Sequence, residues 1–371
     1  NVTDHSRIVA LNGTINSLVN GQTGGSVFFY SPSGFVLTGT AVINVGSLVL
    51  SASPITVDGN GNFINGGTVV FGQAPNPNAA INTVSDINGT AQINSSGNGN
   101  YVALVAPTIL HQGDIRTDGT AALVAAEAAT INFDPFGLFD IEVAIGTDAA
   151  TGIHVDGGTI DRNSETVSSD NIHRAYLVAV AKNDAVTMLI NNGASIGFEI
   201  GTSASVEDNA VVISGGYDID NGSHQFFGTS GVSNVPLTIT NATLSSHVDA
   251  QVTGGAAINS GEGALSFGGD LSIIGGETTT TGGNVLIDAM NGNALTIGAD
   301  LYARAFRESG DGTQIGLITR LGATGGSTAT VGGDVTLDSD SFGATVGEFG
   351  ERTDVTGGNA QVNIGANSTL N

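Results

Sequence analysis

Short apolar runs, each closed by a glycine- or asparagine-centred turn, succeed one another along nearly the whole chain. Ser26-Val27-Phe28-Phe29-Tyr30 stops at Ser31-Pro32-Ser33-Gly34. Phe35-Val36-Leu37, Ala41-Val42-Ile43-Asn44-Val45, Ser47-Leu48-Val49-Leu50, Val69-Val70-Phe71 and Tyr101-Val102-Ala103-Leu104-Val105 continue the series. Runs this short, bounded by Gly, Pro, Asn or Asp, read as β-strands. Val, Ile and Thr favour the pleated backbone, and Gly, Asn and Asp favour turns. The good helix formers are scarce: charged residues make up only 12% of the 371 residues, against 56 glycines. Two alanine-rich stretches, 121–129 and 173–181, have the composition of a helix. Their flanks, Asp118-Gly119 and Thr130-Ile131-Asn132-Phe133 around the first, fit strands better, with small residues allowing close stacking.

The same texture runs from end to end, with no Pro-rich, Ser-rich or charged linker. Such uniformity points to a solenoid, in which each coil contacts only its neighbours. In the C-terminal third a pattern returns. Gly268-Gly269-Asp270-Leu271-Ser272-Ile273 is echoed at Gly282-Gly283-Asn284, Gly332-Gly333-Asp334 and Gly357-Gly358-Asn359, and more loosely at Gly298-Ala299-Asp300. Coils of about 20–25 residues predict about 15–18 rungs and a rod of roughly 70–90 Å.

Composition excludes several partners and chemistries. There are 34 Asp and Glu against 9 Lys and Arg, giving a net charge of −25, and Lys182 is the single lysine. Nucleic-acid binding needs clustered basic side chains, and so does a polybasic membrane patch. With no cysteine there is no thiolate metal site and no cysteine nucleophile. No stretch reaches the roughly 18 apolar residues of a spanning helix. Asn1-Val2-Thr3-Asp4 lacks the form of a signal peptide, so a processed product or a window from a longer chain is expected.

Ser6-Arg7-Ile8 with Leu11-Asn12-Gly13-Thr14-Ile15, then residues 25–34, then Ala41-Val42-Ile43-Asn44-Val45-Gly46-Ser47-Leu48-Val49, carry a family likeness in order and spacing. This region, residues 6–53, resembles the secretion domain of filamentous-haemagglutinin-like proteins, the exported partners of two-partner secretion. Residues 101–107 and 115–131 resemble the strands that follow. Beyond about residue 145 the likeness is one of texture, to very large glycine-rich β-strand-repeat surface proteins of alphaproteobacteria. In place of the family's Asn-Pro-Asn-Gly turn this chain has Ser31, Pro32, Ser33 and Gly34, so proline and glycine are kept and both asparagines are replaced. The resemblance implies an all-β fold: a right-handed parallel β-helix with irregular loops, threaded unfolded through an outer-membrane transporter. It also implies a secretion-domain-like part at 1–145, lacking its upstream start, and continuing solenoid at 146–371.

Parallel β-helices include polysaccharide lyases and hydrolases, which need catalytic groupings of charged side chains. The basic residues are scattered except for Arg304 and Arg307, which read as outward side chains of one coil. Asp218/Asp220 and Asp338/Asp340 each place two carboxylates on one strand face, as a glycosidase needs, but so rich a supply of acids makes such pairs by chance. His5, His111, His154, His173, His224 and His247 show no ligand spacing. Asp58-Gly59-Asn60-Gly61-Asn62 and Asp311-Gly312 lack a full calcium-loop pattern and read as turns. Phe133-Asp134-Pro135-Phe136-Gly137-Leu138-Phe139, the densest aromatic patch, reads as a loop capping the core.

The expectation is therefore a non-enzymatic, structural and adhesive segment of a fibre on a Gram-negative cell surface or shed from it. It serves attachment, biofilm or cell–cell contact and self-associates into filaments through its open β edges. Its partners are the transporter, further copies, and a host or neighbouring-cell surface or polysaccharide, with no nucleic acid and no membrane span. No cofactor is expected beyond weak, diffuse calcium binding. The alternatives are a β-helix polysaccharide lyase or hydrolase, and the stalk of a contact-dependent toxin.

Overall fold

The computed structural model describes residues 7–56, 67–97, 99–133, 139–162, 173–198, 209–220, 225–227, 234–277, 283–307, 319–339, 352–356, 361–363 and 369–370. Side chains are described through residue 338, with those of Gln225, Phe227, Glu277, Phe306 and Arg307 outside that description.

Among these residues there is no helix. Three long parallel sheets of eleven strands each run the length of the molecule. Successive strands go to the first, second and third sheet in turn, so every three strands complete one coil of a parallel β-solenoid. The second coil is Gly34–Leu37, Val42–Val45 and Ser47–Ser51, and the fourth is Thr108–His111, Asp114–Thr117 and Thr120–Ala125. Both alanine-rich stretches contribute strands, Thr120–Ala125 and His173–Ala179.

Coils stack in register, so like faces like. In the first sheet Phe35, Ile81, Ile109 and Ile153 form one inward file. In the second, Ile43, Ile93, Ile115, Ile160 and Ile196 form another. Alternation along each strand sends the intervening residues outward. The inward files merge into one continuous buried core running from Phe35 to Leu337.

Eleven coils are described, fewer than the 15–18 expected, and at about 4.8 Å per coil the rod is roughly 50 Å long. The shortfall has two causes. Coil length is uneven: Leu237 lies beside Ala256, 19 positions on, while Val285 lies beside Thr319, 34 positions on. In addition, three insertions leave the solenoid. They carry Thr68–Phe71 between coils two and three, Ala128–Phe133 and Phe139–Ile145 between coils four and five, and Asp218–Asp220 with Gln225–Phe227 between coils six and seven. Together they make a five-stranded antiparallel sheet. Val69-Val70-Phe71, expected to be a coil strand, thus belongs to this flanking sheet.

The flanking sheet lies on the outer face of the third sheet and encloses a second core. Val49, Ala103, Val105, Ala122, Val124, Tyr176, Val178, Ala210 and Val212 from coils two to six meet Val69, Phe71, Ile131, Phe139, Ile141 and Ile219. Third-sheet strands here are buried on both faces, which is why they read as unbroken apolar runs instead of alternating. An aromatic seam fastens the junction. The Tyr101 ring stacks on Phe133 at 4.2 Å, Phe133 meets Phe139 edge-on at 4.8 Å, and Phe139 stacks on Tyr176 at 5.8 Å. Phe133 and Phe139 therefore do cap a core, from strands. Phe136, with the rest of 134–138, lies outside the described residues. Past coil six the outward file changes character, and Val212 is succeeded by Asp249, Ser272, Tyr302 and Thr336.

The C-terminal repeat resolves into one true corner. Asp270, Asp300 and Asp334 stack at the turn into the third sheet. The Asp300 amide donates to Asp270 Oδ1 at 2.9 Å, and the Asp334 amide donates to Asp300 Oδ1 at 2.8 Å. The echo at 282–284 belongs elsewhere: Asn284 leads into the first-sheet strand Val285–Ala289. The Gly357-Gly358-Asn359 copy lies outside the described residues.

Candidate functional sites

Ser31, Pro32, Ser33 and Gly34 form a turn closed by the Gly34 amide, which donates to the Ser31 carbonyl at 2.9 Å. Proline at the second position of such a turn already has the φ it needs. All four residues are buried. Gly34 has φ +86°, and a Cβ placed there would lie 1.9 Å from the Ala80 carbonyl oxygen, because the third coil stacks directly against it. That third coil is led in by a second proline turn, in which the Ala79 amide donates to the Asn76 carbonyl and the Asn78 amide to Asn76 Oδ1, both at 3.0 Å. Asn76-Pro77-Asn78 was not singled out in the sequence, although proline followed by a turn-forming asparagine was the signal for it.

The carboxylate pairs separate on inspection. Asp218 and Asp220 lie on the outer face of the flanking sheet, and pairing of Ile219 with Ile141 sets Asp218 beside Glu142 and Asp220 beside Asp140. Four carboxylates thus occupy two adjacent strands. Burial, with Glu142 nearby, holds the Asp218 carboxyl above its ordinary range, although the Val143 amide donates to it at 2.8 Å. Asp140 and Glu142 were missed in the sequence because only the antiparallel pairing of two distant insertions brings them there. Asp338 is instead met by Arg304 of the preceding coil, at 3.4 Å, while Asp340 and the Arg307 side chain lie outside the described residues.

The described histidines do not converge. His111 is fully buried in the first sheet: its Nε2–H donates to the Thr159 carbonyl at 2.9 Å and its Nδ1 accepts from the Thr83 hydroxyl at 2.8 Å. Burial pushes its pKa down to about 4. His154 bonds Asn191 at 2.9 Å, His173 stacks on Phe198, and His247 lies 3.5 Å from Asp270. His5, His224, Asp58-Gly59-Asn60-Gly61-Asn62 and Asp311-Gly312 lie outside the described residues. Among the described residues no three His, Asp or Glu side chains are grouped so as to hold a metal ion, and no helix is long and apolar enough to cross a membrane.

The most enclosed charge pair is one that sequence reasoning passed over. Glu127, 1% exposed, takes Lys182 Nζ on both carboxylate oxygens at 2.9 Å and Gln73 Nε2 at 3.3 Å. Its carbonyl accepts from the Ala74 amide at 2.8 Å and from the Ser53 hydroxyl at 2.7 Å. The hydrogen bonds to Glu127 raise the Lys182 pKa. Ser53 and Gln73 flank the first insertion, Glu127 opens the second, and Lys182 follows coil five, so this cluster ties down the base of the flanking sheet. The sole lysine of the chain was the available signal.

No protein-family model, no curated protein and no solved structure matches this chain.

Proposed function

We propose that this chain is a structural and adhesive segment of a fibre that a Gram-negative cell secretes and displays. The observation that carries the reading is the stack of parallel coils around a continuous core, an architecture that extends a surface away from its point of attachment. The likeness of residues 6–53 to a secretion domain supports export through an outer-membrane transporter. Because Ser31-Pro32-Ser33-Gly34 are buried in the folded chain, a transporter that recognises this turn would have to do so before the chain folds. Polar outer files, such as Thr159, Ser195, Thr243, Ser266, Thr296 and Thr330 on the second sheet, offer hydroxyls for contact with a cell surface or polysaccharide. Immunogold electron microscopy of intact cells, with a gene deletion as control, tests the reading. Label along filaments, lost in the deletion, supports it, and label dispersed in the medium with no filament overturns it.

One observation favours a second reading, a β-helix enzyme acting on polysaccharide: the carboxylate quartet of Asp140, Glu142, Asp218 and Asp220, with Asp218 held above its ordinary range. Depolymerising activity abolished by Asp218→Asn would establish it, and activity equal in the variant would dismiss it.

A further inference from the structure

In a bare solenoid each coil is held only by its two neighbours, so stability is close to a sum of local terms and an end can fray one coil at a time. The flanking sheet breaks that rule. Its strands leave the solenoid at three separate gaps and then pair with one another: 68–71 with 128–133, 128–133 with 139–145, and 139–145 with 218–220. Gaps two/three, four/five and six/seven are thereby bonded together. Opening coil three would expose Ala103 and Val105, and opening coil five would expose Tyr176 and Val178, each together with its cover. The cluster at Glu127 adds a polar tie across the same coils. Among the described residues no such cover lies over coils seven to ten, and Asp249, Gln251, Ser272, Ile274, Tyr302 and Arg304 occupy the corresponding outer positions of coils seven to nine.

We propose that the flanking sheet is a strap that makes coils two to six a single cooperative block, while the coils after it open one by one. Under tension or mild denaturant the rod yields from its C-terminal side, through coil seven, and stops at coil six. The inference stands on the fold alone and does not depend on the surface-fibre reading.

Native-state hydrogen exchange on the whole chain tests it. Amides of His247–Thr253, Leu271–Glu277 and Leu301–Arg307 should exchange at least about tenfold faster than those of Tyr101–Ala106, Thr120–Ala125 and His173–Ala179, and the latter three should share one opening reaction. In the strap variant Ile141→Lys, protection of coils three to five should fall to that of coils eight and nine. Equal protection along the wild-type rod, or block protection unchanged in a folded variant, overturns the proposal. Should Ile141→Lys fail to fold, Ile141→Ala and the wild-type gradient decide it.

Discussion

At the scale of single residues, two buried ionisable groups make stability depend on pH and on one side chain. His111 is neutral inside the core, with both ring nitrogens engaged. Its folded pKa of about 4 lies below the ordinary value of 6.5. Between those values the unfolded chain binds the proton and the folded chain does not. The stabilisation is thus complete above pH 6.5 and lost as pH falls to 4, by on the order of 3 kcal/mol. Urea unfolding across this window should show a slope in the wild type that is reduced in His111→Gln. Lys182→Ala would strand the Glu127 carboxylate with Gln73 alone. Because the ammonium is about a third exposed, a loss of about 1–3 kcal/mol is expected, read as a lower denaturation midpoint with unchanged slope. The sequence marks Lys182 as the sole lysine but shows neither its partner nor the depth of His111. A lone histidine among apolar residues does not reveal its depth, and Lys182 meets Glu127 across 55 positions of chain.

At the scale of elements, strands were readable because their boundaries are local chemistry. Ser26–Tyr30 and Ser47–Ser51 are where apolar runs meet turn residues. Their assignment to sheets was not readable, since Val69-Val70-Phe71 looks like any coil strand until the partner at 128–133 is known. A subtler cue was present in Ala121-Ala122-Leu123-Val124-Ala125, whose lack of alternation signals a strand covered on both faces. On the flanking sheet, like charges side by side oppose the pairing that places them. Asp218 binds its proton more tightly when folded, so its ionised form weakens the fold at neutral pH and the penalty vanishes as pH falls. Asp218→Asn should therefore raise the melting temperature at pH 7, by the equivalent of about 0.5 kcal/mol, with no gain in acid. Thermal scans at the two pH values check this.

At the scale of the whole molecule, the all-β solenoid was legible because one texture repeated from end to end, whereas the number of coils was not, because corners and insertions vary in length. A net charge of −25 on a slender rod implies strong self-repulsion. Raising sodium chloride from about 10 to 150 mM, where the screening length falls from about 30 to 8 Å, should raise the melting temperature. Calcium should act as a screening ion, without a saturable step, and calorimetric titration would show one if a site existed. The outer face of the third sheet changes at a fixed place, where Val212 gives way to Asp249. That position divides the gene into two kinds of sequence. Duplicating a coil beyond it lengthens the rod by one spacing and disturbs nothing else. Duplicating one of coils three to six shifts insertions that must meet across five coils, and the sheet they form comes apart. Length is thus free to drift in one half of this molecule and is locked in the other.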